Sequence, residues 1–232
     1  MTTVDGSTVD GSTLDDVRLA RVALSALLEP GSRALYQLIS GAGPVGALEA
    51  LTRGEVEKEL AGAAASRLAG GDPRRLAEHL YARAVRVGAR LVTPEDEQWP
   101  TQLADLRLIG REGAGRIERD TFPPVCLWVR GDWPVADVLA KSVAVVGSRA
   151  ATSYGTHLAT ELGYGLANRG WAVVSGGAFG VDAAAHRGAL AGGGVTVAVL
   201  ACGVDRAYPA GNASLLDRIS EDGLLISEWP PG

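Results

Sequence analysis

The second half of the chain repeats one pattern: a short apolar run, a glycine-bearing loop and a helix. Runs that are apolar at every position indicate strands buried on both faces, which is typical of parallel sheets. Because these strands alternate with helices, the pattern predicts an α/β fold: a Rossmann-like doubly wound, mainly parallel sheet with helices on each side. The predicted strands lie at residues 143–146, 171–174, 195–200 and 224–226, with helices at 154–168, after Gly180 and at 212–219.

The first half of the chain is helical instead. Apolar residues recur at helical spacing in stretches that glycine or proline separates, which predicts a small all-helical domain. Asp72 is expected to cap the last helix, with Pro73 at its first position. The short helices and glycine turns resemble SAM or helix-hairpin-helix modules. The stretches cover residues 14–28, 32–39, 44–52, 55–68 and 73–87.

An arginine-rich run ends this helical part, and two interpretations of it stay open. Glycine turns let backbone N–H groups approach phosphate closely, so the module can grip a DNA backbone. We favour the other interpretation, a solvated helix face. The run comprises Arg67, Arg74, Arg75, Arg83, Arg86 and Arg90.

Proline interrupts the segment between the two halves. Only residues 125–129 have strand character between positions 90 and 141, so a connector with one strand is predicted. We therefore expect a disordered polar tail over 1–13, a helical domain over 14–88 and a Rossmann-like domain over 89–232.

Composition narrows the class of protein. The net charge of −5 argues against nucleic-acid binding through overall positive potential but leaves a local basic patch open. No apolar run approaches the roughly 20 residues of a membrane helix, and the N-terminus has no export signal, so we expect a cytoplasmic protein without membrane association. Cys126 and Cys202 have no cysteine or histidine at metal-ligand spacing. We therefore predict reduced thiols, no metal site and no cofactor.

Glycine-rich loops follow the predicted strands, where open α/β sheets bind their ligands. Gly147, Ser148 and Arg149 follow the first strand, and an arginine can make two parallel hydrogen bonds to a phosphate. After the second strand, glycines leave backbone N–H groups open at a helix N-terminus, which attracts anions. Neither loop is a GxGxxG or GxxxxGK[ST] motif, which argues against a dinucleotide or a P-loop triphosphate. We predict a phosphate cradle, completed by Ser175, Gly176, Gly177, Phe179 and Gly180.

Further polar residues flank this predicted cradle. Asp182 and His186 stand four positions apart on the helix after Gly180, which suits an acid/base pair or metal ligands. We favour a supporting role for both, because an N-terminal aspartate often caps a helix and no third partner is placed to join them. Tyr208-Pro209 is also consistent with a rigid turn. The residues after the third strand that can reach the same edge are Asp205, Arg206, Tyr208 and Asn212.

Taken as a set, these loops closely resemble the DNA-processing protein A (DprA/Smf) family. Segments before the loops, LVTPEDEQWPTQL at 91–103 and LWVRGD at 127–132, look like the family's entry into its Rossmann domain. The motifs that carry the resemblance are Gly147-Ser148-Arg149 with Ser153-Tyr154-Gly155, SGGAFGVDAAAH at 175–186, GVDRAYPAGN at 203–212 and SEWPPG at 227–232.

The resemblance implies a cytoplasmic bacterial protein that binds single-stranded DNA, catalyses no reaction, protects incoming DNA and helps load the recombinase RecA during natural transformation. It implies that Arg149 holds a DNA phosphate, that Ser148 and the Gly176-Gly177 backbone line the pocket, and that the 205–212 loop flanks it. Family members continue beyond SEWPPG with an arginine-bearing helix and further strands, on which homodimer formation and the RecA contact largely depend. We therefore expect the sheet within 89–232 to be incomplete, as in a fragment, a frame-shifted reading or a degenerate copy.

Two other classes of function compete with this one. A nucleotide-binding or phosphoribohydrolase-like Rossmann enzyme would act on nucleoside monophosphates. The phosphoribohydrolases that this alternative resembles typically carry a PGGxGTxxE loop, which does not occur in this sequence. A protein-interaction module with a vestigial pocket would bind neither DNA nor nucleotides.

Overall fold

The computed structural model describes residues 11–109 and 121–232. Its helices are α1 (Gly11–Leu27), α2 (Arg33–Arg53), α3 (Lys58–Leu68), α4 (Pro73–Arg86), α5 (Leu106–Ile109), α6 (Val135–Ala140), α7 (Ser153–Ala167), α8 (Val181–Ala191) and α9 (Ala213–Asp222). Its strands are β1 (Ala89–Val92), β2 (Leu127–Arg130), β3 (Ser142–Ala144), β4 (Ala172–Ser175), β5 (Thr196–Leu200) and β6 (Leu224–Ser227).

The strands form one six-stranded sheet in the order β1-β2-β6-β5-β4-β3. β3, β4, β5 and β6 are parallel, whereas β2 runs antiparallel to both of its neighbours, β1 and β6. The prediction of a Rossmann-like, mainly parallel α/β fold after N-terminal helices is confirmed.

The segment predicted as a connector with one strand contributes two strands, so that prediction was wrong. β1 and β2 pair over four residues and extend the sheet beyond β6. Trp128 in β2 is fully buried, although it lies between proline-rich stretches. The pairing of β1 and β2 joins residues about 40 positions apart, and β1 has only four residues, too few for a local pattern to reveal it.

One face of the sheet is covered by α8 and α9 together with helices of the N-terminal half. Trp128 and Leu225 lie in one buried cluster with Leu216 of α9 and with Val22 and Ala84 of the N-terminal helices. The helical part therefore shares a core with the sheet, in addition to its own cluster around Leu24, Leu27, Leu35 and Leu51.

The opposite face is covered by α6, whose Val135 and Val138 pack against strand residues such as Val129 and Ile226. Toward β3 this face is open, and 47% of the Val199 surface in β5 is exposed. The expectation that the apolar runs are buried on both faces was therefore wrong for β3 and for Val199 of β5. β3 is the edge strand of the sheet, so its residues are half-buried or exposed.

In the N-terminal half, the structure contains a helix cap and helical segments that the sequence predicted. Asp72 accepts hydrogen bonds from the backbone N–H groups of Arg74 (2.7 Å) and Arg75 (3.2 Å), which confirms the predicted cap of α4. The predicted helices over 32–39 and 44–52 belong to α2, which is broken at Gly43, where φ is 70°. Of the predicted tail, residues 1–10 lie outside the described residues, and α1 begins at Gly11.

Candidate nucleic-acid interface

Three loops at the carboxyl edge of the parallel strands enclose a cavity of about 420 Å³, here called the edge pocket. They follow β3, β4 and β5 and bring together residues that lie up to 63 positions apart. The edge pocket is lined by Val146, Gly147, Arg149, Gly176, Ala178, Phe179, Asp182, Val199, Leu200, Ala201, Cys202, Tyr208 and Pro209.

The loop after β3 is held against the start of α8. A Cβ atom on Gly180 would lie 2.2 Å from the carbonyl oxygen of Ser148, and the φ of Gly180 is +79°, so only glycine fits there. The same Ser148 carbonyl accepts a hydrogen bond of 3.2 Å from the N–H of Val181. The side chain of Ser148 accepts from the N–H of Ala150 at 3.1 Å. The loop is thus rigidly placed, with Ser148 turned to its own backbone rather than lining the edge pocket.

Arg149 is the free cation of the edge pocket. It is exposed, lines the cavity, and its guanidinium forms no hydrogen bond or ion pair with the residues that the structure describes. A planar guanidinium in this state has all its donors available for a phosphate. The predicted role of Arg149 therefore has a suitable geometry.

In the loop after β4, a backbone N–H group that was expected to be open is hydrogen-bonded within the protein. The N–H of Gly176 donates to Asp182 Oδ2 at 3.1 Å, and the N–H of Ala178 donates to the same oxygen at 3.4 Å. Gly177 is buried against Leu216, with φ +68°. The expectation that Gly176 offers an open N–H to an anion was wrong, because the first-turn carboxylate of α8 already accepts it.

Two side chains complete the support of this loop. Ser175 is buried and donates to the carbonyl oxygen of Val145 at 2.6 Å, which joins β4 to the end of β3. Asn212 is also buried and donates from Nδ2 to the carbonyl oxygen of Gly177 at 2.9 Å. Both residues shape the edge pocket from behind and do not line it.

Two exposed aromatic rings stand at the mouth of the edge pocket. Phe179 is 47% exposed and Tyr208 is 65% exposed. The Phe179 ring packs against Gly211, where a Cβ atom would lie 2.9 Å from Cζ. Sequence reasoning placed Tyr208 among the supporting residues and missed it as a lining one. The signal available was an aromatic residue in the loop that follows the third strand.

The remaining predicted residues lie outside the pocket lining. Asp205 points to α4, where its Oδ2 is 3.2 Å from Nη2 of Arg83. Arg206 closes a turn through its N–H to the carbonyl oxygen of Gly203 at 2.9 Å. The predicted DNA-site residues that do not line the edge pocket are Ser148, Ser175, Gly177, Gly180, Arg206 and Asn212.

His186 is fully buried and bonded within the core. Thr196 Oγ1 donates to the carbonyl oxygen of Val173 at 2.8 Å, so it accepts from His186 Nδ1 at 2.7 Å, which assigns the proton to Nδ1. Burial lowers the pKa of His186 to about 4, while the charge of Asp182 acts in the opposite direction. A neutral ring away from the edge pocket favours the supporting role over an acid/base pair.

The arginine-rich run is mostly engaged within the protein. Arg67 pairs with Glu29 and stacks over Trp229 at 5.5 Å, and Arg74 pairs with Asp16 at 2.9 Å. Arg90 donates to the carbonyl oxygens of Gly131 and Trp133. Within the described ranges, only Arg75 and Arg86 of this run make no such contact, which favours a structural interpretation over a DNA-gripping face.

Residues 11–109 and 121–232 contain neither a metal-binding cluster nor a membrane-spanning helix. No cluster of three or more histidine, cysteine or acidic residues suited to a metal occurs there. No helix in this part is long and apolar enough to cross a membrane. Cys126 and Cys202 are free thiols, and burial raises the pKa of Cys126 to about 12.

Relatives of this chain are named as DNA processing proteins. The chain is 45% identical over 210 residues to a protein of Mycobacterium tuberculosis (strain CDC 1551 / Oshkosh) that is named as a DNA processing protein, DprA. The match covers 90% of this chain and 52% of the relative. It is 44% identical over 110 residues to DNA processing protein DprA of Streptococcus pneumoniae, covering 47% of this chain and 38% of the relative. The chain thus spans about half the length of its M. tuberculosis relative.

A solved structure and a family model agree with these relatives. The X-ray structure of DNA processing protein A from Streptococcus pneumoniae superimposes with a TM-score of 0.66 and 26% identity, covering 94% of this chain and 68% of that chain. The family model described as DNA recombination-mediator protein A matches residues 90–232, which is more than half of the chain. The chain therefore belongs to the DNA recombination-mediator protein A family.

Proposed function

We propose that the edge pocket binds the phosphate backbone of single-stranded DNA and that the chain is a non-catalytic recombination mediator. The observation that carries this proposal is the position of Arg149, an unpaired guanidinium at a cavity rimmed by Phe179 and Tyr208. Sequence-tolerant binding of single strands combines a cation for the backbone with aromatic rings on which bases stack. Both parts occur within this one pocket.

A single strand suits the edge pocket better than a duplex. The two rings are exposed side chains at the cavity mouth, so unpaired bases can stack on them, whereas the bases of a duplex are already stacked on each other. The formal net charge of −5 leaves little general attraction for a duplex. Binding would therefore depend on the local site.

We propose that the site carries out no chemistry. Asp182 is the one acid among the residues that line the edge pocket, and its Oδ2 already accepts two backbone hydrogen bonds. Burial raises the pKa of the Cys202 thiol, which keeps it protonated and a poor nucleophile. These groups give little support to a nucleoside-monophosphate hydrolase.

We infer a wider role from membership of the family. A DNA recombination mediator delivers single-stranded DNA to a recombinase, so we propose that the protein acts in the cytoplasm, protects incoming DNA during transformation and helps load RecA. A homodimer is part of the same proposal. The family description and the DNA-processing names of the relatives support the recombination-mediator role.

Fluorescence anisotropy of a labelled oligo-dT strand tests the proposal. The chain is titrated at several salt concentrations, after circular dichroism has verified folding. We expect salt-sensitive binding that Arg149→Ala weakens strongly. Equal affinity of the wild type and Arg149→Ala would refute the role of the edge pocket, and a folded chain without affinity for the strand would refute DNA binding.

A further inference from the structure

We propose that Arg83 of α4 is a positioning residue for the edge pocket, acting through Asp205 on the loop that carries Tyr208. This inference rests on the proposed DNA-binding function of that pocket. It assigns a role in the site to a helix of the N-terminal half, which lines no part of the cavity.

The contact between the two halves is specific. Arg83 Nη2 donates to Asp205 Oδ2 at 3.2 Å across 122 positions of sequence, and the Asp205 side chain is only 10% exposed. Its other oxygen, Oδ1, accepts from the N–H of Gly232 at 3.2 Å. Both carboxylate oxygens are thus directed away from the edge pocket, and removal of Arg83 would leave a nearly buried charge without its cation.

The loop has a second fixed point on the opposite side. Asn212 Nδ2 donates to the carbonyl oxygen of Gly177 at 2.9 Å, which ties the end of the loop to the turn after β4. Tyr208 and Pro209, which line the edge pocket, lie between these two anchors. The orientation of Tyr208 therefore depends on both Asp205 and Asn212.

α4 is a firm support for this anchor. Its Ala77 and Ala84 are almost completely buried in the cluster that contains Trp128 of β2 and Leu216 of α9. Ala84 is the immediate neighbour of Arg83, so the helix cannot shift without disturbing that core. Through Asp205, Arg83 consequently holds the 203–212 loop in a fixed position relative to the sheet.

The chain offers a matched control on the same helix. Arg86 lies three residues beyond Arg83, is exposed, and makes no hydrogen bond or ion pair with the described residues. Arg83→Met and Arg86→Met each remove one positive charge and keep an unbranched apolar stem. Any general effect of charge on DNA affinity appears in both variants.

The test combines DNA affinity with amide hydrogen exchange of residues 203–212 in the full chain. For Arg83→Met we expect affinity for labelled oligo-dT to fall by about three- to tenfold, and exchange in the loop to rise. Arg86→Met should leave both near the wild-type values. Asp205→Asn should reproduce the Arg83→Met effect, and the double variant should be no weaker than either single one, because the two residues act through one contact.

The salt dependence separates positioning from direct contact. A phosphate contact by Arg83 would reduce the slope of log affinity against log salt by about 0.7, as expected for Arg149→Ala. We expect the slope of Arg83→Met to equal that of the wild type, and a reduced slope would overturn the positioning role. If Arg83→Met fails to fold, Asp205→Asn decides the same question.

Failure of this inference can be told apart from failure of the proposed function. If loop exchange and affinity of Arg83→Met match those of Arg86→Met, the positioning role is refuted while Arg149→Ala still reports on DNA binding. If the wild type binds no oligo-dT, the proposed function is refuted, and the exchange measurement still decides whether Arg83 holds the loop.

Discussion

Asp182 Oδ2 accepts a hydrogen bond of 3.1 Å from the backbone N–H of Gly176, so an acid of the edge pocket holds the shape of the neighbouring loop. This places a negative charge in a cavity that we propose for phosphate. Arg149 must therefore supply the attraction that the loop backbone does not provide. The affinity of the edge pocket for DNA is therefore expected to depend on the balance between these two opposite charges.

Replacement of Asp182 separates its charge from its hydrogen bonds. Asp182→Asn keeps an oxygen that can accept from Gly176 and removes the negative charge, so we expect affinity for oligo-dT to rise by about two- to fivefold. Asp182→Ala loses the acceptor and should weaken binding by loosening the loop. Anisotropy titrations measure both, and weaker binding by Asp182→Asn would contradict this role of the charge.

Arg149→Ala should weaken DNA binding by about 1.5–3 kcal/mol, as expected for a charge-assisted hydrogen bond to phosphate. Arg187 is a suitable control, because it is exposed on α8 and does not line the edge pocket. Arg187→Ala should change affinity by less than about a factor of two. An equal effect of both substitutions would indicate general electrostatics rather than a site.

The aromatic rings should contribute through stacking. We expect Phe179→Ala and Tyr208→Ala each to weaken oligo-dT binding by about 1–3 kcal/mol, the usual contribution of one stacked base. Tyr164 of α7 is also exposed but does not line the edge pocket, so Tyr164→Ala is the control. Unchanged affinity of both pocket variants would eliminate stacking from the binding mode.

The buried His186 should make stability depend on pH. Its pKa is lowered from 6.5 to about 4, chiefly by burial, so the unfolded chain binds a proton that the folded chain does not. The unfolding free energy should therefore fall as the pH decreases from 6.5 toward 4, by at most about 3 kcal/mol. Denaturant titrations of His186→Gln should show a weaker decline between pH 6.5 and 5, whereas His157→Gln, an exposed control, should follow the wild type.

Gly180 should be intolerant of any side chain. Gly180 and Gly193 both have a positive φ, but a Cβ atom at Gly180 would lie 2.2 Å from the Ser148 carbonyl oxygen, whereas nothing lies within 4 Å of one at Gly193. Gly193→Ala should cost about 1 kcal/mol of unfolding free energy. Gly180→Ala should cost clearly more and should also weaken DNA binding, because it displaces the loop of Arg149. Equal Tm values for the two variants would refute the contact.

The parallel part of the sheet and the place of the candidate site were readable from the sequence. Continuous apolar runs with glycine loops report burial and close packing, and these are properties of a few neighbouring residues. The same holds for the cap by Asp72, which depends on N–H groups two and three residues away. Arg149 was predicted as a site residue because it lies in the loop that follows a predicted strand.

Other features depended on residues that meet only in the folded chain. The partnership of β1 with β2, the capture of the Gly176 N–H by Asp182 and the ion pair between Arg83 and Asp205 each required distances that no local pattern contains. Sequence by itself determined which residues can form strands, helices and glycine-rich turns, since these follow from backbone and side-chain preferences. Only the tertiary structure decided which polar groups stay free at the edge pocket, because each hydrogen-bond donor or acceptor is assigned by whichever partner packing brings within about 3 Å.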